Sequence, residues 1–315
     1  MKLQTNIGLK PEKHQIGYNS KLLLLGSCFV ENIGEKLKYY KFQTVQNPFG
    51  ILFHPVTIEN LITRAITSKK YTKESIFLHN ERWYCFDAHS EVSANTPEEL
   101  LQRLNMGLQH TREQIKKASH IVITLGTAWV YSVVETQKVV ANCHKVPQKQ
   151  FSKRVLSVKE IQDSLERITH HIKSINKEAT LIFTISPVRH LKDGFVENQQ
   201  SKAHLFTALH AHLENVGCYF PSYEIMMDEL RDYRFYKEDM VHPNTTAISY
   251  IWEKFTSVWM AEDVQKVMDK VNVVQKGLSH RPFNKDSQEH KTFLEALKKK
   301  KTYLEETYTF MKFTQ

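Results

Sequence analysis

Cysteine is scarce in this sequence: four residues in 315, at positions 28, 85, 143 and 218. Their spacing gives neither a C-x-x-C pair nor a disulfide framework. That excludes a zinc ribbon and a small stapled scaffold, and leads us to expect free thiols in a reducing cytoplasm. Only ten glycines and nine prolines are present, too few for a collagen-like or low-complexity chain. The glycines form neither a G-x-x-x-x-G-K-[ST] phosphate loop nor a G-x-G-x-x-G dinucleotide fingerprint, which removes nucleotide-driven chemistry of those kinds. No H-E-x-x-H pair occurs, and neither a metal nor a cofactor is expected. Long apolar runs are also missing. The longest are strand-sized, far below the ~20 residues that a membrane helix requires. Met1 to Lys21 has no apolar stretch of the kind a secretory leader needs, so a cytoplasmic protein without a membrane partner is expected. Acidic residues are the minority among the charges, 34 against 43 basic, for a formal +9. The excess is spread along the chain, is densest at Lys298–Lys301, and comes with no nucleic-acid-binding motif. It reads as solvated surface, and no nucleic-acid partner is expected.

Apolar residues make up 41% of the chain, enough to bury a full core. Three short apolar runs end in small or turn-forming residues: Leu22–Leu25 before Gly26-Ser27, Ile121–Leu125 before Gly126-Thr127, and Leu181–Ile185 before Ser186-Pro187. Runs of this length and character predict strands buried on both faces, as in a parallel sheet. Helical periodicity lies between them: Phe29, Ile33, Leu37 and Tyr40; Leu100, Leu104 and Leu108 within about 97–117; and Ile161, Leu165, Ile168 and Ile172 within about 158–175. The alternation predicts an α/β domain in three layers, with helices on both faces of a parallel sheet. In such sheets ligands sit at the carboxyl ends of the strands, where all three turns would meet. Phe77 to Phe86 predicts an inserted hairpin. After about Glu262 the chain turns rich in Lys, Gln and Glu, and Leu297, Leu304, Tyr308 and Met311 keep a helical spacing. We therefore expect a catalytic domain over 1–262 and a basic helical extension over 263–315. The extension either packs on the domain or forms the seam of a homodimer.

Two segments carry chemical promise. Gly26-Ser27-Cys28-Phe29 places a small nucleophilic side chain where a strand turns into a helix. The positive end of that helix would steady a thiolate or an oxyanion. A plain strand–helix turn would read the same way locally. In Asp239-Met240-Val241-His242, a carboxylate three residues before an imidazole can hold one ring nitrogen protonated and leave the other as a base. A surface turn capped by an Asp is the ordinary alternative. Asn142-Cys143-His144-Lys145 and Arg189-His190 follow strand ends. The first lacks partners at metal-ligand spacing. The second suits a carboxylate or phosphate, or is simply an exposed basic pair.

The Gly26 and Asp239 segments together resemble the SGNH (GDSL-like) hydrolase superfamily, which has a G-D-S block after its first strand and a D-x-x-H block near its end. A closer resemblance is to the GSCFA family, whose naming motif reads Gly26-Ser27-Cys28-Phe29-Val30 here. Asn47–Gly50, Gly126–Trp129, Asn142–Lys145, Ser186–His190, Asp239–Asn244 and, less distinctly, His280–Phe283 add to it in order along most of the chain. The resemblance implies an SGNH-like, flavodoxin-like domain and an esterase acting on an ester such as an O-acyl carbohydrate. It also implies Cys28 as nucleophile, His242 as base and Asp239 as its orienting partner, with Ser27 as nucleophile if the turn is shifted by one residue. Where the superfamily has G-x-N-D, this chain has Gly126-Thr127-Ala128-Trp129, so the oxyanion-donating asparagine is missing. Backbone amides at residue 28, Gly50 and Gly126, with Asn142, are the expected replacements, and His144 and Arg189 are expected to contact substrate. The other readings are an acyltransferase using a thioester donor and a non-catalytic ligand-binding protein on the same scaffold.

Overall fold

The structure is a computed structural model, and it describes residues 4–214 and 216–313. Its strands are β1 (Lys21–Gly26), β2 (Gln43–Gln46), β3 (Phe77–His79), β4 (Arg82–Tyr84), β5 (His120–Leu125), β6 (Trp129–Val133), β7 (Val139–Val140), β8 (Phe151–Val155), β9 (Thr180–Ile185) and β10 (Cys218–Tyr219). Its helices are α1 (Phe29–Tyr39), α2 (Pro55–Thr67), α3 (Pro97–Lys117), α4 (Val158–Ile175), α5 (Phe195–Leu213), the single turn α6 (Ser222–Glu224), α7 (Thr245–Trp259), α8 (Glu262–Ser279) and α9 (Gln288–Thr307). The central sheet has the order β10-β9-β5-β1-β2, and every pairing in it is parallel. Counted along the chain, that is the 2-1-3-4-5 order of flavodoxin-like domains. The three apolar runs are neighbouring strands, with Leu25 beside Ile123 and Leu125 beside Ile185. Their ends therefore open on one crevice.

Alternation along the strands divides the core. Leu23, Leu25, Ile121, Ile123, Leu181 and Phe183 face one side and pack with the apolar stripes of α2, α3, α4 and α5. Leu22, Leu24, Val122 and Ile182 face the other, against α1, α7 and α8. Side chains of successive strand residues point to opposite faces, so a strand apolar at every position must be covered on both. Local signals set the helix ends. Thr96 accepts the Glu99 amide ahead of Pro97 in α3, Ser157 and Glu160 form a capping box on α4, and Asn244 accepts the Ala247 amide at the start of α7. The expected hairpin is present as β3 and β4, turning through Asn80 and Glu81 at positive φ. The tail helix α9 buries Leu297 and Leu304 in the second core cluster, with Leu297 seated over Gly277 of α8. No helix among the described residues is long and apolar enough to cross a membrane.

Candidate active site

The crevice begins at Gly26. This residue has φ +133°, and a Cβ there would collide with the carbonyl of Thr124 on β5. Only glycine lets β1 run this close to its neighbour and still turn. Asn47 latches the turn by accepting the Gly26 amide through Oδ1 at 2.9 Å. Beyond the turn the two nucleophile candidates part. Ser27 is fully buried, its amide donates to Thr124, and its Oγ is sealed without a partner. Cys28 is half-buried at the N-cap of α1. In the first turn the Val30 and Glu31 amides donate to the Ser27 and Cys28 carbonyls, while no backbone carbonyl takes the amides of Cys28 and Phe29 among the described residues. Burial pushes its thiol up from the ordinary value. Lys202, the residue's own N–H and Lys237 pull it back, and Glu31 adds to the rise.

The Asp239–His242 segment forms a compact polar turn. Asp239 Oδ2 lies 2.7 Å from His242 Nδ1, and its Oδ1 accepts the amides of Val241 and His242 at 2.9 Å each. Those bonds, the backbone amides foremost, hold the exposed Asp239 carboxyl down at about 2. The carboxylate fixes the ring so that Nε2 is left for other work. Arg189 anchors this loop, and does not line the crevice as expected: its guanidinium donates to the Met240 carbonyl and lies 4.6 Å from the Tyr236 ring centre. No hydrogen bond joins Cys28 Sγ to His242 among the described residues. The loop reaches the strand ends through its Val241 carbonyl, which accepts the Arg189 amide just past β9, and Lys237 from the same loop favours the charged form of Cys28. Catalytic contacts are commonly long before substrate is bound.

Four expected contributors have polar groups engaged elsewhere. The Gly50 amide donates to Asn47 at 2.8 Å and the Gly126 amide to Phe53 at 2.8 Å, so neither amide is free for an oxyanion. His144 is buried, with Nε2 2.8 Å from the Cys85 carbonyl, Nδ1 3.3 Å from Ser90 Oγ, and the rings of Phe77, Tyr84 and Phe86 around it. Burial pulls it down to about 4, so it is a neutral structural ring at ordinary pH. Asn142 Oδ1 accepts from Ser90 and from the His144 amide. Asn142 and His144 do line a cleft of about 510 Å³, together with Phe53, Trp129, Tyr131 and His190, but Cys28 is not in its wall.

Sequence reasoning missed the inner face of α5. Asn198, Ser201 and Lys202 all point inward and are buried. Asn198 accepts the His190 amide, Ser201 accepts the Ala128 amide at 2.7 Å, and Lys202 Nζ donates to the carbonyls of Gly126 and Ser186. Burial draws the Lys202 ammonium down to about 7, against the opposing influence of Cys28. His190 turns inward too: its Nε2 is sealed and partnerless, 3.0 Å from where a Cβ on Gly126 would stand. Burial first, then Lys202 and His242, drives this ring down to about 3. The ring is therefore neutral, and its Nε2 is a polar group without a partner above the glycine that opens the block lacking its asparagine.

A family model described as the GSCFA family matches residues 21–255, and one described as the C-terminal domain of GSCFA domain proteins matches 271–315. No curated protein matches the chain. Among solved structures, a crystal structure of an acetyl esterase mutant with acetate ion aligns over 80% of this chain and 99% of its own, at 10% identity and a TM-score of 0.31.

Proposed function

This chain belongs to the GSCFA family, and we propose that it is an SGNH-like hydrolase that cleaves an ester through an acyl-enzyme on Cys28. The observation that supports the proposal is the Asp239–His242 pair, with its 2.7 Å Oδ2–Nδ1 contact, on a loop whose Val241 carbonyl accepts the Arg189 amide just past the carboxyl end of β9; β1 ends in the same direction, at the turn that carries Cys28 to the start of α1. In this reading His242 Nε2 takes the thiol proton as Sγ bonds to the substrate carbonyl carbon. The proton then passes to the leaving alkoxide as the C–O bond breaks, and water, activated by the same ring, releases the acid. A base is required because burial keeps the thiol protonated at rest. Asp239 orients the ring and balances the imidazolium. The amides of Cys28 and Phe29, which no backbone carbonyl takes, are the oxyanion donors in place of the engaged Gly50 and Gly126 amides. The cleft beside His190 receives the remainder of the ester, an O-acyl sugar being the chemistry that its aromatic and amide walls suit.

The test is intact and peptide mass analysis of the protein mixed with an activated acetate ester such as 4-nitrophenyl acetate. One acetyl group on Cys28, absent from Cys28→Ala and formed far more slowly in His242→Ala, is expected. Release of acetate to water supports hydrolysis, and its appearance on an added saccharide, with acetyl-CoA as donor, would make the protein a transferase. Absence of any acyl adduct, with turnover intact in Cys28→Ala, would remove the nucleophile assignment.

A further inference from the structure

We infer that Lys202 is a positioning residue for Cys28: a buried amine carried by α5 that stabilises negative charge on the sulfur from the protein side, while His242 serves it from the solvent side. The inference rests on Cys28 being the nucleophile of the proposed hydrolase.

Lysine is almost never fully buried without a partner of opposite charge, yet Lys202 is only 1% exposed. No carboxylate meets it within ion-pair distance among the described residues. Its partners are two neutral carbonyls, Gly126 at 2.9 Å and Ser186 at 2.8 Å, with the Tyr223 ring 5.2 Å away. Gly126 follows β5, the strand paired with β1, and a Cβ on it would stand 3.0 Å from that of Ser27, the neighbour of Cys28; Ser186 follows β9 on the far side of β5. Nζ therefore lies under the strand ends next to the Cys28 turn. Tying two strand ends together needs only a neutral donor. Burying an ionisable amine for that task carries a desolvation penalty on its charged form that an amide side chain would not incur, so the choice of lysine calls for an explanation. Two N–H groups satisfy the two carbonyls. A neutral amine has only those two, and an ammonium has one more to offer. Lys202 can therefore change protonation without breaking either bond.

The other ionisable groups around the pair are few. Cys28 is faced by Lys202 from α5, by Lys237 from the loop before His242, and by Glu31 from α1. Glu31 is engaged by the side-chain amides of Gln46 and Asn47. Lys202 is faced by Cys28, by Tyr223 and by His190. Coupling between two sites is reciprocal: whatever Lys202 does for the thiolate, the thiolate does for the ammonium, and the two titrate as a pair.

The experiment measures the rate at which iodoacetamide alkylates Cys28 in the full-length protein across pH, read by peptide mass, with Cys143 as internal reference. In Lys202→Met the midpoint for Cys28 should rise by about one unit, and its rate near neutral pH should fall roughly 10-fold with Cys143 unchanged. A folded Lys202→Met with an unaltered Cys28 profile overturns the inference. Should that variant fail to fold, the reciprocal measurement decides. Side-chain NMR titration of Lys202 in Cys28→Ala, a change at a half-buried residue, should show a midpoint lower than in the wild-type protein. An identical midpoint overturns the inference. Alkylation and NMR need no substrate, so either can fail while ester turnover still depends on Cys28. Conversely, turnover that survives in Cys28→Ala removes the catalytic reading and leaves the measured coupling standing.

Discussion

Two histidine loops border the strand ends, and they are built on the same local device. In one, Asp239 Oδ1 accepts the amides of Val241 and His242; in the other, Asn142 Oδ1 accepts the amide of His144. Each turn passes through a non-glycine residue at positive φ, Met240 at 55° and His144 at 51°. Short polar side chains that bond to the backbone a few residues on tolerate such turns well. The surroundings then separate the loops. His242 keeps an exposed ring against a carboxylate, whereas His144 is enclosed by three aromatic rings with both nitrogens engaged. Whether a histidine supports chemistry or packing is decided by what covers it, and not by the turn that presents it.

The sharpest way to break this contrast is to remove each ring. His242→Ala should lower ester turnover by roughly 10³-fold or more and leave the urea midpoint almost unmoved, since an exposed side chain contributes within about 0.5 kcal/mol. A stability loss comparable to a core deletion would place His242 with the scaffold. His144→Ala should behave in the opposite way, costing about 2–4 kcal/mol in urea unfolding through a lost ring and an orphaned Cys85 carbonyl. Turnover of the protein that remains folded should change little.

Acid sharpens the comparison further. His144 is held at about 4 inside the fold, as is His54, while an unfolded chain titrates near 6.5. Between those values the unfolded chain binds protons that the folded one refuses, so stability falls as pH drops from about 6.5 towards 4 and is unaffected above that window. His144→Gln removes one of these groups, and its slope of unfolding free energy against pH should be visibly flatter over the same range. A slope equal to wild type would mean that the enclosed ring is protonated after all. The smallest effect is expected at Asn142. Its Oδ1 serves the loop, so Asn142→Ala should cost about 1 kcal/mol with turnover within a few-fold; a loss of ~10² in turnover at constant KM would instead mark an oxyanion donor.

The three inner strands could be read from residues because each has a short, mostly apolar run that ends at glycine or serine, as a doubly covered parallel sheet requires; the edge strands β2, Gln-Thr-Val-Gln, and β10, Cys-Tyr, carry no such run and were not read. The Asp239–His242 contact was recognisable because a carboxylate three residues before an imidazole can reach it, so local spacing carries the signal; Cys28 was singled out by its strand–helix turn and by the family resemblance. The α5 platform could not be read this way. Asn198, Ser201 and Lys202 look like the solvent face of a helix, and their partners, the His190 amide, the Ala128 amide and the Gly126 carbonyl, are backbone groups that no sequence pattern displays. Arg189-His190 misled for a related reason. The two side chains diverge, one to the Met240 carbonyl and the other over Gly126, and a dipeptide does not disclose that divergence. The amides of Gly50 and Gly126 were expected to be free, and closure of their own turns takes them up.

The wall of the cleft beside His190 is supplied largely by the loop from Ala141 to Gln148, with β6 residues Trp129 and Tyr131, within the excursion β6-β7-β8 that interrupts the crossover between β5 and α4. Leu156, which follows it, donates its amide to the Ala128 carbonyl just before it, so the excursion leaves and rejoins the scaffold at one point. Such a segment behaves as a cassette. Its exposed tip at residues 134–137 can be lengthened or exchanged at little cost, because closing a longer loop adds only a fraction of a kcal/mol per doubling in length. The part around Ala141 and His144 is tied to Cys85, Phe86 and Ser90 and has to travel with those partners. On the proposed ester chemistry, a chimera that carries another family member's segment together with these partners should change the cleft wall while leaving Cys28 and His242 in place.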